Sequence, residues 1–197
     1  KERVKKLGIN GNFLLFFGTL EPRKNLVGLL GAYEKLPKDM REKYSLVIAG
    51  GKGWNDTEIL QKLESLEKTG KKVIRTGYVT DEDRAALFME ATLYIMPSHY
   101  EGFGMQLLEG MSYGTPMLVS DIPVLHEVGG DATAYCGTSA QEIADGIVEV
   151  LSSESKRQDM VKAGKERLKL FSWEKVAQHV FDRIKRSTDT KNGANRG

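Results

Sequence analysis

Short apolar runs alternate with longer stretches of helical spacing along most of the chain. Residues 12–18, Asn-Phe-Leu-Leu-Phe-Phe-Gly, form an apolar run closed by glycine, the pattern of a strand buried on both faces. A helical pattern follows over 25–36, with Asn25 as its expected cap and Pro37 as its stop. Residues 45–50 predict a second strand. Residues 56–68 predict an amphipathic helix with Ile59, Leu60, Leu63 and Leu66 on one face. Further strands are expected at 72–76, 93–96 and 116–119, with a weaker one at 132–136. Helices are expected over 81–90, where Thr80 and Asp83 have capping-box spacing, and over 105–113, ended by Gly114. Three more are expected at 139–151, 155–170 and 172–186. Residues 188–197 have only Ala194 as an apolar residue and predict a disordered tail.

Strand and helix in repeated alternation predict an α/β fold: a doubly wound, Rossmann-like parallel sheet of about six strands with helices on both faces. No linker-like stretch divides it, so residues 1–187 are expected to form one domain. The longest apolar run, Phe13 to Phe17, falls far short of the ~20 residues of a spanning helix. The chain opens on Lys1 rather than Met and is expected to begin inside a longer protein.

Charge narrows the function classes. The net charge is +2, and the excess lies at the ends, leaving residues 7–181 at −4. A nucleic-acid reader carries a basic face on its folded body, so that class is excluded. The single Cys136 cannot form an intramolecular disulfide or a cysteine metal cluster, and His99, His126 and His179 have no metal-ligand spacing. A reducing compartment fits.

Sheets of this kind bind ligands outside the carboxyl ends of their strands. After the first strand comes Gly18-Thr-Leu-Glu-Pro-Arg-Lys-Asn25, just before a helix. Arg23 and Lys24 oppose the helix macrodipole there unless an anion is bound, in which case all three point at one phosphate. A solvated loop is the plain alternative. After the second strand, Gly50-Gly-Lys-Gly-Trp54 lacks the third glycine and the distal acid of a dinucleotide fingerprint, and it is not a P-loop. It reads as a tight turn that admits close backbone approach. After the fourth strand, Pro97-Ser-His-Tyr-Glu-Gly-Phe-Gly-Met-Gln-Leu-Leu-Glu109 places Glu101 before a glycine turn and Glu109 on the helix that follows. Each carboxylate accepts from hydroxyl donors, so one suits a ribose diol and the other a sugar. A surface loop charge and a helix-face charge remain the alternative at this point.

The segment Glu101-Gly-Phe-Gly-Met-Gln-Leu-Leu-Glu109 resembles the Glu-x7-Glu element of retaining glycosyltransferases of the GT-B fold, family 4 or group 1, which includes mannosyl-, glucosyl- and sucrose-type synthases. Gly18 to Asn25 is similar to that family's donor-diphosphate loop. Residues 46–51, 73–79, 97–98 and 114–120 fit its other strand ends, so the resemblance spans roughly residues 10–150.

The resemblance implies a donor-binding C-terminal domain that transfers mannosyl or glucosyl groups with retention in the full-length protein. Lys24 would be the cation on the donor diphosphate and Glu109 the ribose ligand. Glu101 would lie against the transferred sugar. Gly102, Phe103, Gly104, Met105 and Leu108 would complete the donor contacts, with Gly18, Thr19, Gly50 and Gly51 lining the crevice. The Gly77-Tyr78-Val79 turn would meet the nucleobase. Many members carry Arg directly after the first-strand glycine; Thr19 stands there, so Arg23 would supply the second cation.

The substrate would be a GDP-mannose or UDP-glucose type donor, with no cofactor and no metal. A saccharide or lipid-linked acceptor would bind an N-terminal domain of about 200 residues preceding Lys1. Trp173, Val176, Val180 and Phe181 on the last helix would face that domain. The setting would be cytoplasmic, with membrane-face attachment only through the other half. Two alternatives stay open: a sugar-nucleotide epimerase on the same fold, and a flavodoxin-like interaction module without a substrate.

Overall fold

The computed structural model describes residues 1–172, 174 and 177–185. Its six strands are β1 (Asn12–Phe17), β2 (Tyr44–Ala49), β3 (Val73–Gly77), β4 (Leu93–Met96), β5 (Met117–Ser120) and β6 (Ala134–Cys136). They form one sheet in the order β3-β2-β1-β4-β5-β6, and every pair is parallel. The α/β doubly wound expectation is met.

Strand residues alternate between two cores. Leu14, Phe16, Leu46, Ile48, Leu93 and Ile95 pack on one face. That face is covered by α2 (Leu26–Lys35), α4 (Thr57–Lys68) and α8 (Ala140–Ser152). Phe13, Leu15, Val47, Tyr94 and Met96 pack on the other. There α5 (Asp81–Glu90), α6 (Met105–Tyr113) and α7 (Pro123–Gly129) close the core, joined by the short α1 (Glu2–Lys6). α9 (Glu154–Leu168) packs along α6, and α3 (Lys38–Lys43) leads into β2.

The strand order reverses between β1 and β4. β1 pairs with β2 along its whole length, from Asn12↔Tyr44 to Phe17↔Ala49. With β4 it pairs only at Leu14↔Leu93 and Leu15↔Tyr94, so the two strands part before either ends. A crevice opens there, at the place where open α/β sheets hold ligands.

Several local expectations change. Asn25 does not cap α2 through its side chain. A 3-10 turn over Pro22–Lys24 ends on Asn25 and leaves it left-handed, at φ 54°. Its Nδ2 instead donates to Thr138 O at 2.8 Å. Thr80 does cap α5, accepting from the Asp83 amide. α1, α3 and α7 were not anticipated. Residues 177–185 are helical. Val180 and Phe181 on it are exposed rather than packed on the sheet. Trp173, Val176 and the expected tail over 188–197 lie outside the described residues. Among the described residues, no helix is long and apolar enough to cross a membrane.

Candidate functional site: a cationic cleft at the β1/β4 reversal

The loops after β1 and β4 meet in a buried ion cluster. Lys24 Nζ donates to Glu101 Oε1 at 2.6 Å, and both side chains are about 5% exposed (5% and 6%). Arg23 Nη1 donates to the other oxygen, Oε2, at 3.0 Å. Ser98 Oγ, fully buried, adds a bond to Oε1 at 2.7 Å. The backbone secures the same junction, since the His99 amide donates to Arg23 O at 2.8 Å. Burial by itself pushes the Glu101 carboxyl up. The bonds from Lys24 and Ser98, with the Arg23 charge, outweigh it and hold the group below its ordinary range. Glu101 is therefore a fixed anion with three donors on it.

A third loop joins through Arg23. Its Nη2 lies 2.6 Å from Glu21 Oε1. Glu21 Oε2 accepts from the Trp54 indole N–H at 3.0 Å. The 51–54 segment reaches this position because glycines let it press against the first loop. A Cβ on Gly50 would stand 2.0 Å from Gly18 O, and one on Gly53 2.3 Å from Leu20 O. Any side chain there would push the loops apart.

These loops enclose a cleft of about 260 Å³ lined by Gly18, Thr19, Arg23, Lys24, Gly50, Gly51, Tyr78 and Val79, with Phe17, Asp81, Arg84 and Gln106 completing it. The first eight were expected from the sequence; the last four were not. Gly104 begins α6 in the left-handed region, at φ 87°, and so turns the chain from the Glu101 loop into the helix. Of the first amides of α6, that of Leu107 donates to Gly104 O at 2.9 Å, and Gln106 beside it lines the cleft. Gly102 is exposed, as are Phe103 and Met105 at 42% and 49%. Leu108 is half-buried and packs against the core instead of lining the cleft.

Glu109 and Glu101 are held by different cations. Arg84 Nε lies 2.7 Å from Glu109 Oε1, and Arg84 Nη2 lies 3.3 Å from Asp81. The contact with Glu109 is an ion pair without hydrogen-bond alignment, for the buried Nε has no hydrogen-bond partner. Burial raises the Glu109 carboxyl above its ordinary range, with Arg84 opposing and Asp81 adding to the rise. Sequence reasoning missed Arg84, Glu21 and Trp54. Arg84 had a signal: a lone cation in an acidic first turn, Asp81-Glu-Asp-Arg84, facing the cleft loops.

A larger groove of about 710 Å³ lies between the starts of α2 and α4, lined by residues such as Asn25, Asn55, Thr57 and His99. It contains no lysine or arginine, and the chemistry concentrates in the smaller cleft.

Three comparisons place this arrangement. The chain is 37% identical over 174 residues to O-antigen chain mannosyltransferase B of Escherichia coli, covering 88% of this chain and 45% of that one. It is 28% identical over 177 residues to phosphatidyl-myo-inositol mannosyltransferase of Mycobacterium leprae, covering 87% and 46%. Its fold superposes on sucrose-phosphate synthase from Thermosynechococcus elongatus with a TM-score of 0.78 at 23% identity, covering 96% of this chain and 49% of that one. The chain thus spans about half the length of the curated relatives it matches, and its sheet corresponds to the C-terminal domain of the GT-B fold. The family described as glycosyl transferases group 1 matches residues 1–167, and the chain belongs to that family.

Proposed function

We propose that this chain is the donor-binding half of a retaining hexosyltransferase that takes a nucleoside diphosphate sugar, of GDP-mannose or UDP-glucose type. The observation that carries the reading is the buried Lys24–Glu101 pair at the β1/β4 crevice, with the partly exposed Arg23 on its other oxygen. Two adjacent cations, the half-buried glycines Gly18, Gly50 and Gly51, and Gln106 near the start of α6 all border one small cleft. That combination matches the charge of a diphosphate.

When the sugar leaves, negative charge grows on the diphosphate. Lys24 and Arg23, with the first amides of α6, would stabilise that charge without needing to reorganise. In this role they supply the positive charge that a divalent metal would otherwise bring, and the reading requires none. Arg23 fills the place that Thr19 leaves without a cation. Glu101 holds both cations in the free protein and would face the transferred sugar in the complex. Glu109 would accept from the ribose hydroxyls, and Tyr78 and Val79 would meet the base. The sugar acceptor, a saccharide or lipid-linked chain, would be oriented by a further N-terminal domain, and residues 1–197 alone would transfer little. The enzyme would act on the cytoplasmic side of the membrane.

The relatives' printed names favour mannose as the sugar. The test is Glu101→Gln titrated with GDP-mannose and with GDP. The account expects weaker binding of GDP-mannose, with GDP affected much less. An equal loss for both ligands removes Glu101 from the sugar.

A further inference from the structure

Arg84 belongs to none of the roles above, yet it lines the donor cleft and reaches both carboxylates on that side. We propose that Arg84 is a positioning residue: it keeps Glu109 charged and aimed so that Glu109 can accept two ribose hydroxyls at neutral pH. This rests on the ribose role of Glu109 proposed above.

The geometry is specific. Arg84 is one turn into α5, and its guanidinium sits 5.9 Å from the centre of the Phe17 ring at the end of β1. It spans from Asp81 on its own helix to Glu109 on α6. Its Nε is buried and makes no hydrogen bond, although Glu109 Oε1 is 2.7 Å away. The pair is close but misaligned, so the oxygen is attracted without being consumed. A carboxylate in that state keeps its acceptor capacity for a ligand. Were Arg84 to donate in good alignment, the ribose would have to compete with it.

The charges around Glu109 set the consequence. Arg84 and Asp81 face it from α5, and from β4 comes the fully buried phenol of Tyr94, which Glu109 itself drives further from ionisation. Arg84 is the one cation in that set. It opposes both burial and the Asp81 charge, which raise the Glu109 carboxyl. Without Arg84 nothing in the set opposes the rise, and the carboxyl takes up its proton at a higher pH than it does beside Arg84. A protonated carboxyl has lost one acceptor oxygen, and its remaining bonds are neutral, about half as strong as charged ones.

The experiment measures GDP and 2′-deoxy-GDP affinity from pH 6 to 9 for the wild-type chain, Arg84→Gln, Arg84→Lys and Glu109→Gln. The wild type is expected to prefer GDP by about tenfold to a hundredfold at pH 7, the loss of one hydrogen bond to a charged acceptor. Arg84→Gln should narrow that preference, the more so as pH falls across the range, and recover it as pH rises and Glu109 ionises. Arg84→Lys should restore it at pH 7. A merely structural role would weaken both ligands at every pH. Equal, pH-independent losses for the two ligands would overturn the proposal. If Glu109→Gln leaves the preference intact, the ribose role itself fails, a different result from Arg84→Gln alone having no effect.

Discussion

Replacing Lys24 with Met tests whether the buried cluster is a single energetic unit. Methionine keeps most of the apolar stem and its packing and removes only the ammonium. Removing one partner of a buried ion pair costs about 3–5 kcal/mol when the other is left uncompensated. Glu101 is not left alone here, because Arg23 and Ser98 still donate to it. Arg23 is 39% exposed, so its share is screened by water. A loss of about 2 kcal/mol is therefore expected for Lys24→Met, less than the full penalty. Glu101→Gln should cost about the same, since it leaves Lys24 buried without a counter-charge. The double variant removes both charges together and should cost about 2 kcal/mol in total, not the sum, for a coupling of about 2 kcal/mol. Urea unfolding of the four proteins measures this. Effects that add to within about 0.5 kcal/mol would refute the claim that Lys24 and Glu101 stabilise each other.

Three other outcomes follow from the same geometry. Lys24→Ala should weaken GDP binding by about 1.5–3 kcal/mol, the scale of a charged hydrogen bond, while guanosine binding hardly changes; calorimetry on both ligands decides it. Because the folded Glu101 carboxyl is held low, its stabilisation is present above the unfolded carboxyl range near pH 4.3 and is lost as pH falls through the lower folded value. Glu101→Gln should thus flatten the acid limb of stability below about pH 4.5 by comparison with wild type, and an unchanged limb would count against it. Gly50→Ala should destabilise by several kcal/mol or prevent folding, because the new Cβ meets Gly18 O at 2.0 Å and φ is 143°; a near-wild-type melting temperature would show that the loops can separate.

The sheet was legible because each central strand is a contiguous apolar run, and contiguity is what burial on both faces demands. Both carboxylate and cation segments were legible for a local reason: glycines, charges and a helix start fall within a few neighbouring residues. Pairing across the fold was not legible. Glu101 and Lys24 are 77 positions apart, and nothing in either segment states that one holds the other. Read separately, they were assigned to sugar and diphosphate; in the folded chain they hold each other. The short helices escaped for want of period. α3 buries no residue, and α1 buries only Val4. α7 had a usable signal, Pro123 at its first position, which is common at helix starts. Leu108, given as a donor contact by the resemblance, packs against the core in the folded chain.

The central claim is that this cleft binds a nucleoside diphosphate through its cations. Calorimetric titration of residues 1–197 with GDP, UDP, GDP-mannose and UDP-glucose, set against guanosine and uridine, tests it most directly. The account predicts saturable, salt-sensitive binding of at least one diphosphate or its sugar conjugate, with the matching nucleoside far weaker. No binding of any of the four diphosphates up to millimolar concentration, or equal affinity for nucleoside and diphosphate, would contradict it.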